Sequence, residues 1–290
     1  NTTGDYNTAL GMYALRYNLT GAHNTATGYK ALTANTTGSF NTATGYFTLT
    51  ANTTGEYNTA AGYYSLDANT TGSHNTGYGY SALISNTTGA GNTATGWRSL
   101  RANTTGTYNN ASGYQSLTSN TVGNYNTGSG YRALYGTTTG DRNTAMGGNA
   151  GDVITTGGYN VMLGFGTDPS AVDAENQIVI GYTATGHGDN IAVIGNTSMT
   201  AWHPADDGGV DLGSSSYEFK DLYVDGVAYT DAIGFGTVAM TLPTADGSSG
   251  QVLTTDGGGA LSWASASSGT TVDGLSDAKS AGTNFTGSLL

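Results

Sequence analysis

Acidic residues in the second half of this 290-residue chain are its best candidates for chemistry. Asp206, Asp207 and Asp211 follow His203 in a glycine-containing stretch, and side chains of these types bind metal ions or transfer protons. Their spacing lacks the alternating ligands of a calcium-binding loop. We therefore interpret them as solvated turn carboxylates.

A second pair of acids, Asp173 and Glu175, flanks a loop and has the residue types of a glycosidase carboxylate pair. Residues 151–290 contain 16 Asp and Glu residues, so two neighbouring acids are expected there on an ordinary surface. We predict that the chain is not an enzyme, with no catalytic residue, cofactor or metal ion.

Tyrosines are concentrated in the first half, where 15 of the 20 lie in residues 1–136. Many recur at intervals of 17 residues, so repeated coils would stack them in columns. Such a column would either be buried between chains or contact glycans, and we favour burial because aromatic residues dominate interface energetics. The members are Tyr29, Tyr46, Tyr63, Tyr80, Trp97, Tyr114 and Tyr131. A second column places His23 and His74 among Tyr6, Phe40, Tyr57, Tyr108 and Tyr125, which predicts stacked rings and not metal ligands.

Seven asparagines of the repeat begin an Asn-x-Thr sequence, the acceptor for N-glycosylation. They are Asn1, Asn18, Asn35, Asn52, Asn69, Asn86 and Asn103. A source that glycosylates proteins would give the chain a periodic sugar coat. The alternative, which we favour, is that the match reflects turn chemistry.

All these residues belong to one pattern, Asn-Thr-Thr-Gly-x-x-Asn-Thr-Ala-x-Gly-Tyr-x-Ala-Leu-x-Ala, which occurs nine times between Asn1 and about Gly151. A fixed period of 17 residues predicts a solenoid with one repeat per coil. Helical repeats need about 33 to 47 residues, and Gly, Thr and Asn are poor helix formers. Thr and Tyr favour strands, so each coil should contain two short strands and two turns. The predicted fold is all-β, a parallel β-roll of 17-residue coils.

Within the repeat, the strictest columns indicate the interior. Two glycine columns, Gly4 to Gly140 and Gly11 to Gly147, should supply positive φ at turns. The Ala or Gly column from Ala9 to Ala145 should point inward, and the varied residues that follow it should face solvent. Asparagines should form a hydrogen-bonded ladder, at Asn7, Asn24, Asn41, Asn58, Asn75, Asn92, Asn109, Asn126 and Asn143. Leucines should form the core stripe or a seam between chains, at Leu15, Leu32, Leu49, Leu66, Leu83, Leu100, Leu117 and Leu134.

Beyond the regular roll of residues 1–151, three further segments are predicted. Residues 152–196 should form irregular coils with a larger apolar core, separated by a loop around Asp168. Residues 197–264 should form small β segments, including a strand ending at Leu222 to Asp225 and a hairpin within Gly250 to Trp263. Residues 265–290 are Ser/Gly-rich and should be a linker. The chain starts in mid-repeat without an initiator Met, so we expect a segment of a longer polypeptide.

Composition limits the classes of partner. With 47 glycines and 10% charged residues the chain is not an ordinary globule, and its strict periodicity argues against disorder. Net charge is +2 in residues 1–150 and −14 in residues 151–290, which disfavours nucleic acid. The chain has no cysteine. No apolar run is long enough to span a membrane, so no membrane insertion is expected.

The motifs Asn-Thr-Ala-x-Gly-Tyr-x-Ala-Leu, Asn176-Gln-Ile-Val-Ile-Gly181 and Asn190-Ile-Ala-Val-Ile-Gly195 resemble the head repeats of trimeric autotransporter adhesins. The 17-residue period and the stretches 211–223 and 250–257 are more similar to bacteriophage tail fibres. This resemblance covers nearly the whole chain. It implies a left-handed roll and a parallel homotrimer in the virion tail fibre or on an extracellular surface, which binds a host receptor or glycan through a distal part. The adhesin repeats are shorter and place larger aliphatic residues where this chain has Thr.

The resemblance and the repeat together predict a structural shaft of a tail fibre with a role in host attachment. Two alternatives stay open. One is a cell-surface trimeric adhesin or extracellular filament built from the same coils. The other is a polysaccharide-degrading tail spike.

Overall fold

The computed structural model of the chain describes nearly all of the repeat region and several shorter ranges of the C-terminal third. The described residues are 2–203, 212–214, 216–225, 232–235, 238–241, 243, 247–255, 258 and 260–265. They belong to two compact units, Asn1–His203 and Pro204–Leu290. Within the described ranges the chain forms no α-helix, and so no helix of the length and apolarity of a membrane span.

The first unit is a solenoid with a single parallel sheet of twelve strands, arranged in the order of the sequence. Each strand has three residues. They are β1 Thr8–Leu10, β2 Thr25–Thr27, β3 Thr42–Thr44, β4 Thr59–Ala61, β5 Thr76–Tyr78, β6 Thr93–Thr95, β7 Asn110–Ser112, β8 Thr127–Ser129, β9 Thr144–Met146, β10 Val161–Leu163, β11 Ile178–Ile180 and β12 Ala192–Ile194. Ala26 pairs with Ala43, 17 residues on, and this register holds as far as β11. The predicted all-β parallel solenoid is confirmed.

Each coil contains one strand, whereas the sequence predicted two. The other arm is joined to the next coil by separate backbone hydrogen bonds, for example from Leu32 N–H to the Thr48 carbonyl at 3.0 Å. Lys30 and Leu32 both have positive φ, 59° and 51°, and the same holds at the equivalent residues of the first nine coils. Because left-handed residues alternate along this arm, it cannot adopt the extended conformation of a strand.

Only one of the two glycine columns supplies positive φ, which corrects the prediction that both do. Gly45 in the second column has φ +135°, a conformation that residues with a side chain rarely adopt. The first column has no positive φ from Gly21 to Gly140. An added Cβ on Gly38 would instead lie 2.6 Å from the Oδ1 of Asn35 and overlap the Gly55 carbonyl oxygen. The first column is therefore glycine because the next coil lies too close for a side chain.

The core of the solenoid is a stripe of leucines and alanines. Leucines from Leu32 to Leu134 are fully buried, and Leu15 in the first coil is 7% exposed. The alanine column is buried from Ala26 to Ala145, while most of the residues that follow it in the strands are exposed or half-buried. The leucine column is thus the roll's own core, and not a seam that a second chain must cover.

The core changes composition at the ninth coil but stays closely packed. Gly151 stands where the earlier coils have leucine, and three larger neighbours surround it. Leu134, Ile154 and Met162 have side-chain carbons 3.1, 3.2 and 3.3 Å from the point where a Cβ of Gly151 would lie. Ile154 replaces an asparagine and Met162 an alanine, so volume lost at one position is recovered at two others. The predicted larger apolar side chains after residue 151 are present.

In the second unit the described residues form two antiparallel hairpins. Strand β13 (Ala232–Phe235) pairs with β14 (Val238–Thr241), and β15 (Gln251–Thr255) pairs with β16 (Leu261–Ser265). The second hairpin was predicted, although Asp256 and Gly257 of its turn lie outside the described residues. A short strand was predicted at Leu222 to Asp225. This prediction is wrong, because these residues are exposed and pair with no strand among those described.

Candidate functional site

Buried asparagines are the main polar feature of the solenoid interior. Oδ1 of Asn24 accepts the backbone N–H of Asn41 in the next coil at 2.9 Å. Nδ2 of Asn24 donates to the carbonyl of Gly38, also in that coil, at 2.9 Å. The same geometry repeats along the column, and it extends one coil beyond the predicted residues to Asn160. Both ends of each amide are therefore used to hold two coils together.

A second asparagine ladder runs through the residues that begin the Asn-x-Thr sequences. Nδ2 of Asn35 donates to Oδ1 of Asn18 in the previous coil at 2.7 Å and to the carbonyl of Gly38 at 2.8 Å. Equivalent bonds continue to Asn120. The Gly38 carbonyl thus accepts amides from both ladders, Asn24 and Asn35. Sequence reasoning treated these asparagines as turn residues and missed their side-chain ladder.

Burial of this ladder decides between the two interpretations of the Asn-x-Thr sequences. Asn35 and its equivalents from Asn18 to Asn103 are at most 1% exposed, and Asn1 lies outside the described residues. An N-linked glycan is attached at Nδ2. In the folded chain this atom already donates to the neighbouring coil and has no access to solvent. A periodic sugar coat on these six asparagines is therefore excluded for the folded protein.

This second ladder ends at the eighth coil. The next residue in the column is Thr137, which has no amide to donate, and the one after it is Ile154. Oδ1 of Asn120 and Oγ1 of Thr137 are both buried and have no hydrogen-bond partner. An unpaired buried polar atom destabilises a fold by about 1–3 kcal/mol. The end of the ladder is therefore a local weakness of the rod.

The predicted aromatic column from Tyr29 to Tyr131 is a continuous stack of rings. Neighbouring ring centroids are 4.7–6.0 Å apart, with interplanar angles of 2–19°. Tyr46, for example, has Tyr29 on one face and Tyr63 on the other. Only the rims of the inner rings remain accessible, so a sugar ring cannot lie flat on them. Contact with a glycan or a second chain is limited to ring edges and hydroxyl groups.

The second aromatic column contains both predicted histidines. His23 lies between Tyr6 and Phe40, with centroid distances of 4.8 Å on each side. His74 stacks on Tyr57 at 5.0 Å. Their predicted role as members of the stack is confirmed. Residues in this column have positive φ near 60°, which turns the chain just before the strand.

Four of the six Lys and Arg side chains of the solenoid lie over rings of these two columns, and they are Lys30, Arg98, Arg132 and Arg142. The guanidinium carbon of Arg98 is 4.1 Å from the centre of the Trp97 ring, and that of Arg132 is 4.6 Å from the Tyr135 ring. Cation–π contacts at such exposed sites contribute about 0.5–1 kcal/mol each. Lys220 and Asp221, outside the solenoid, form the one ion pair within the described part of the chain. Charge in the roll therefore supports the aromatic columns.

The predicted acidic candidates do not form a site among the described residues. His203 is exposed, and Asp206, Asp207 and Asp211 lie outside the described residues. Asp173 and Glu175 are both exposed on the surface of the solenoid. Over the ranges that the structure describes, no three His, Asp or Glu side chains are close enough together to hold a metal ion.

A different pair of carboxylates, Asp152 and Asp168, was missed by sequence reasoning. Burial, together with the nearby Asp152 charge, raises the pKa of Asp168 to about 6. Hydrogen bonds from the backbone N–H groups of Asp152 and Val153 lower this pKa but do not cancel the increase. Oδ1 of Asp168 is buried without a partner. Burial also raises the pKa of Asp152, which Arg132 partly offsets. The sequence indicated a loop at Asp168-Pro169, but it did not indicate that Asp168 lies near Asp152.

The broken ladder can be repaired by one substitution. Thr137→Asn places an amide where Asn120 Oδ1 lacks a donor and where the Gly140 carbonyl can accept. The new amide adds two hydrogen bonds, one to Oδ1 of Asn120 and one to the Gly140 carbonyl, so we expect the free energy of unfolding to rise by about 0.5–1.5 kcal/mol. Thr137→Val is the matched control, because it removes the unpaired hydroxyl and adds no donor. Urea denaturation would measure both, and a Val variant as stable as the Asn variant would contradict the ladder argument.

The raised pKa of Asp168 predicts a pH dependence of stability. The folded state holds this proton more tightly than the unfolded chain, whose Asp pKa is about 3.9. Stability from this group is therefore greatest below about pH 4 and falls as pH rises through about 6. We expect Asp168→Asn to melt at a higher temperature than the native chain at pH 7.5, with the difference vanishing near pH 4. The exposed Asp173→Asn is the charge-matched control, and an equal effect of both substitutions would refute the assignment.

Comparison with known proteins identifies no related protein. The chain matches no protein-family model, no curated protein and no solved structure. Its function is therefore inferred from its own side chains and their geometry.

Proposed function

We propose that this chain is a structural fibre protein, the shaft of a bacteriophage tail fibre that takes part in host attachment. The observation that carries the proposal is the asparagine ladder from Asn7 to Asn160, which joins each coil to the next through buried amides. A chain whose buried polar side chains join one coil to the next is suited to form a long, stiff rod. With about 4.8 Å between strands, twelve strands give a rod of roughly 53 Å.

The tail-fibre assignment rests on residues outside the ladder. Stretches 211–223 and 250–257 resemble tail fibres, and the described part of the second stretch includes strand β15, Gln251–Thr255. A trimeric adhesin would use the same coils, with a cell-surface anchor in place of a virion. The two differ in the neighbouring genes, where capsid proteins favour the fibre and a secretion system favours the adhesin.

The proposed assembly is a parallel homotrimer. Each regular coil buries one leucine and one or two alanines, which is little apolar surface for 17 ordered residues. The aromatic column meanwhile leaves a regular row of large side chains exposed, including Tyr46, Tyr63 and Tyr80 at 41–43%. Association of three chains along such a row would bury this surface.

Light scattering of the full 290-residue chain tests the assembly. We expect a mass three times that of the 29.3 kDa chain. Replacing Tyr46, Tyr63 and Tyr80 together by Ser should shift the trimer towards monomer, because the row loses its apolar rims. A triple Ser variant at Tyr57, Tyr108 and Tyr125, in the other aromatic column, is the control. A stable folded monomer of the native chain would refute the trimer.

A further inference from the structure

The aromatic column contains tyrosines held in positions that favour covalent coupling. Tyr46 and Tyr63 have ring centroids 5.0 Å apart and an interplanar angle of 6°, although 17 residues separate them in sequence. Tyr63 and Tyr80 are 5.4 Å apart at 2°. Trp97 interrupts the run, and Tyr114 and Tyr131 resume it at 5.4 Å and 10°. Parallel rings in register bring equivalent atoms of neighbouring coils close together.

These rings are also accessible enough to be oxidised. Tyr46, Tyr63 and Tyr80 are each about two-fifths exposed, and their faces are covered by neighbouring rings of the same stack. Backbone pairing of β3, β4 and β5 fixes the spacing of the coils that hold them. Groups held this way react with a high effective concentration, because their encounter no longer costs translational entropy.

We propose that this tyrosine row is an oxidative modification site, where dityrosine bonds form between successive coils of one chain. A one-electron oxidant, such as a radical generated by light or by a peroxidase, removes one electron and one proton from each of two phenols. The two phenoxyl radicals form a carbon–carbon bond between their ortho carbons. Each ortho hydrogen is then lost from carbon while a proton returns to the phenol oxygen, so one bond removes two hydrogens from the chain.

Both rings of each pair belong to the same chain, so the coupling needs no partner chain. The proposed trimer would cover the ring edges, so the coupling is a reaction of the row before three chains pack along it. Its consequence is a covalent staple across coils that are otherwise held by hydrogen bonds. The nearest tyrosine ring outside the row is that of Tyr64, 4.5 Å from that of Tyr63 but inclined by 79°. Tyr108 and Tyr125 in the other column are stacked at 5.1 Å and 14°, so they should couple in the same way as the row. Tyr64 itself stacks on Phe47, which has no phenol and cannot couple in this way.

The test is photo-oxidation of the full chain by ruthenium tris-bipyridyl, with persulfate accepting the two electrons as it becomes two sulfate ions. We expect dityrosine fluorescence, single chains lighter by two hydrogens per bond, and peptides joining Tyr46 to Tyr63 and Tyr63 to Tyr80. In denaturant, where the register is lost, the yield of these peptides should fall by about tenfold or more.

Two matched variants identify the partners. Tyr63→Phe keeps a ring in the stack, and it should abolish both peptides while the Tyr114 to Tyr131 peptide persists as an internal reference. Tyr64→Phe should leave the Tyr46 to Tyr63 and Tyr63 to Tyr80 peptides unchanged. The inference is overturned if cross-links form only between chains. It is also overturned if they involve the most exposed tyrosines, Tyr217 and Tyr223, in place of the row.

Discussion

Buried amide-to-amide hydrogen bonding between coils is the interaction on which the solenoid depends. Asn24 and Asn35 approach the same glycine carbonyl from two directions, and an equivalent pair does so in each coil from the second to the eighth. Buried amides must find partners, since an unpaired one costs more than a typical pair contributes. Only a coil of the same length and register supplies those partners. The strict 17-residue period is therefore a requirement of the asparagines as much as of the leucine core.

Much of this architecture follows from the sequence alone. Invariant spacing identifies the solenoid, and the column of Ala or Gly identifies the inward face of the strand. The asparagine ladder from Asn7 was also predictable, because amides at a fixed spacing pair between parallel chains. These inferences succeed because they depend on periodicity, which the sequence states directly.

Backbone conformation was predicted less well. Glycine was taken as the marker of positive φ, yet Lys30, Leu32 and Phe40 adopt it with side chains present. Such residues cost about 1–2 kcal/mol each in isolation, and neighbouring coils must offset that cost. A signal was available in the same columns, where Asn149 and Asn176 replace larger residues, because Asn tolerates this conformation best. The carboxylate pair Asp152 and Asp168 escaped prediction because Asp168 stands in the leucine column, where no earlier coil has an acid.

The ladder end between Asn120 and Thr137 affects how the rod behaves as a whole. In a linear array, cooperativity passes only through nearest-neighbour interfaces. An interface that lacks a pair of hydrogen bonds is where such an array separates into independently opening blocks. The homogeneous coils before Thr137 and the apolar coils built around Met162 thus form two segments with different internal chemistry. A solenoid with such a joint can loosen at one end while the other end keeps its register.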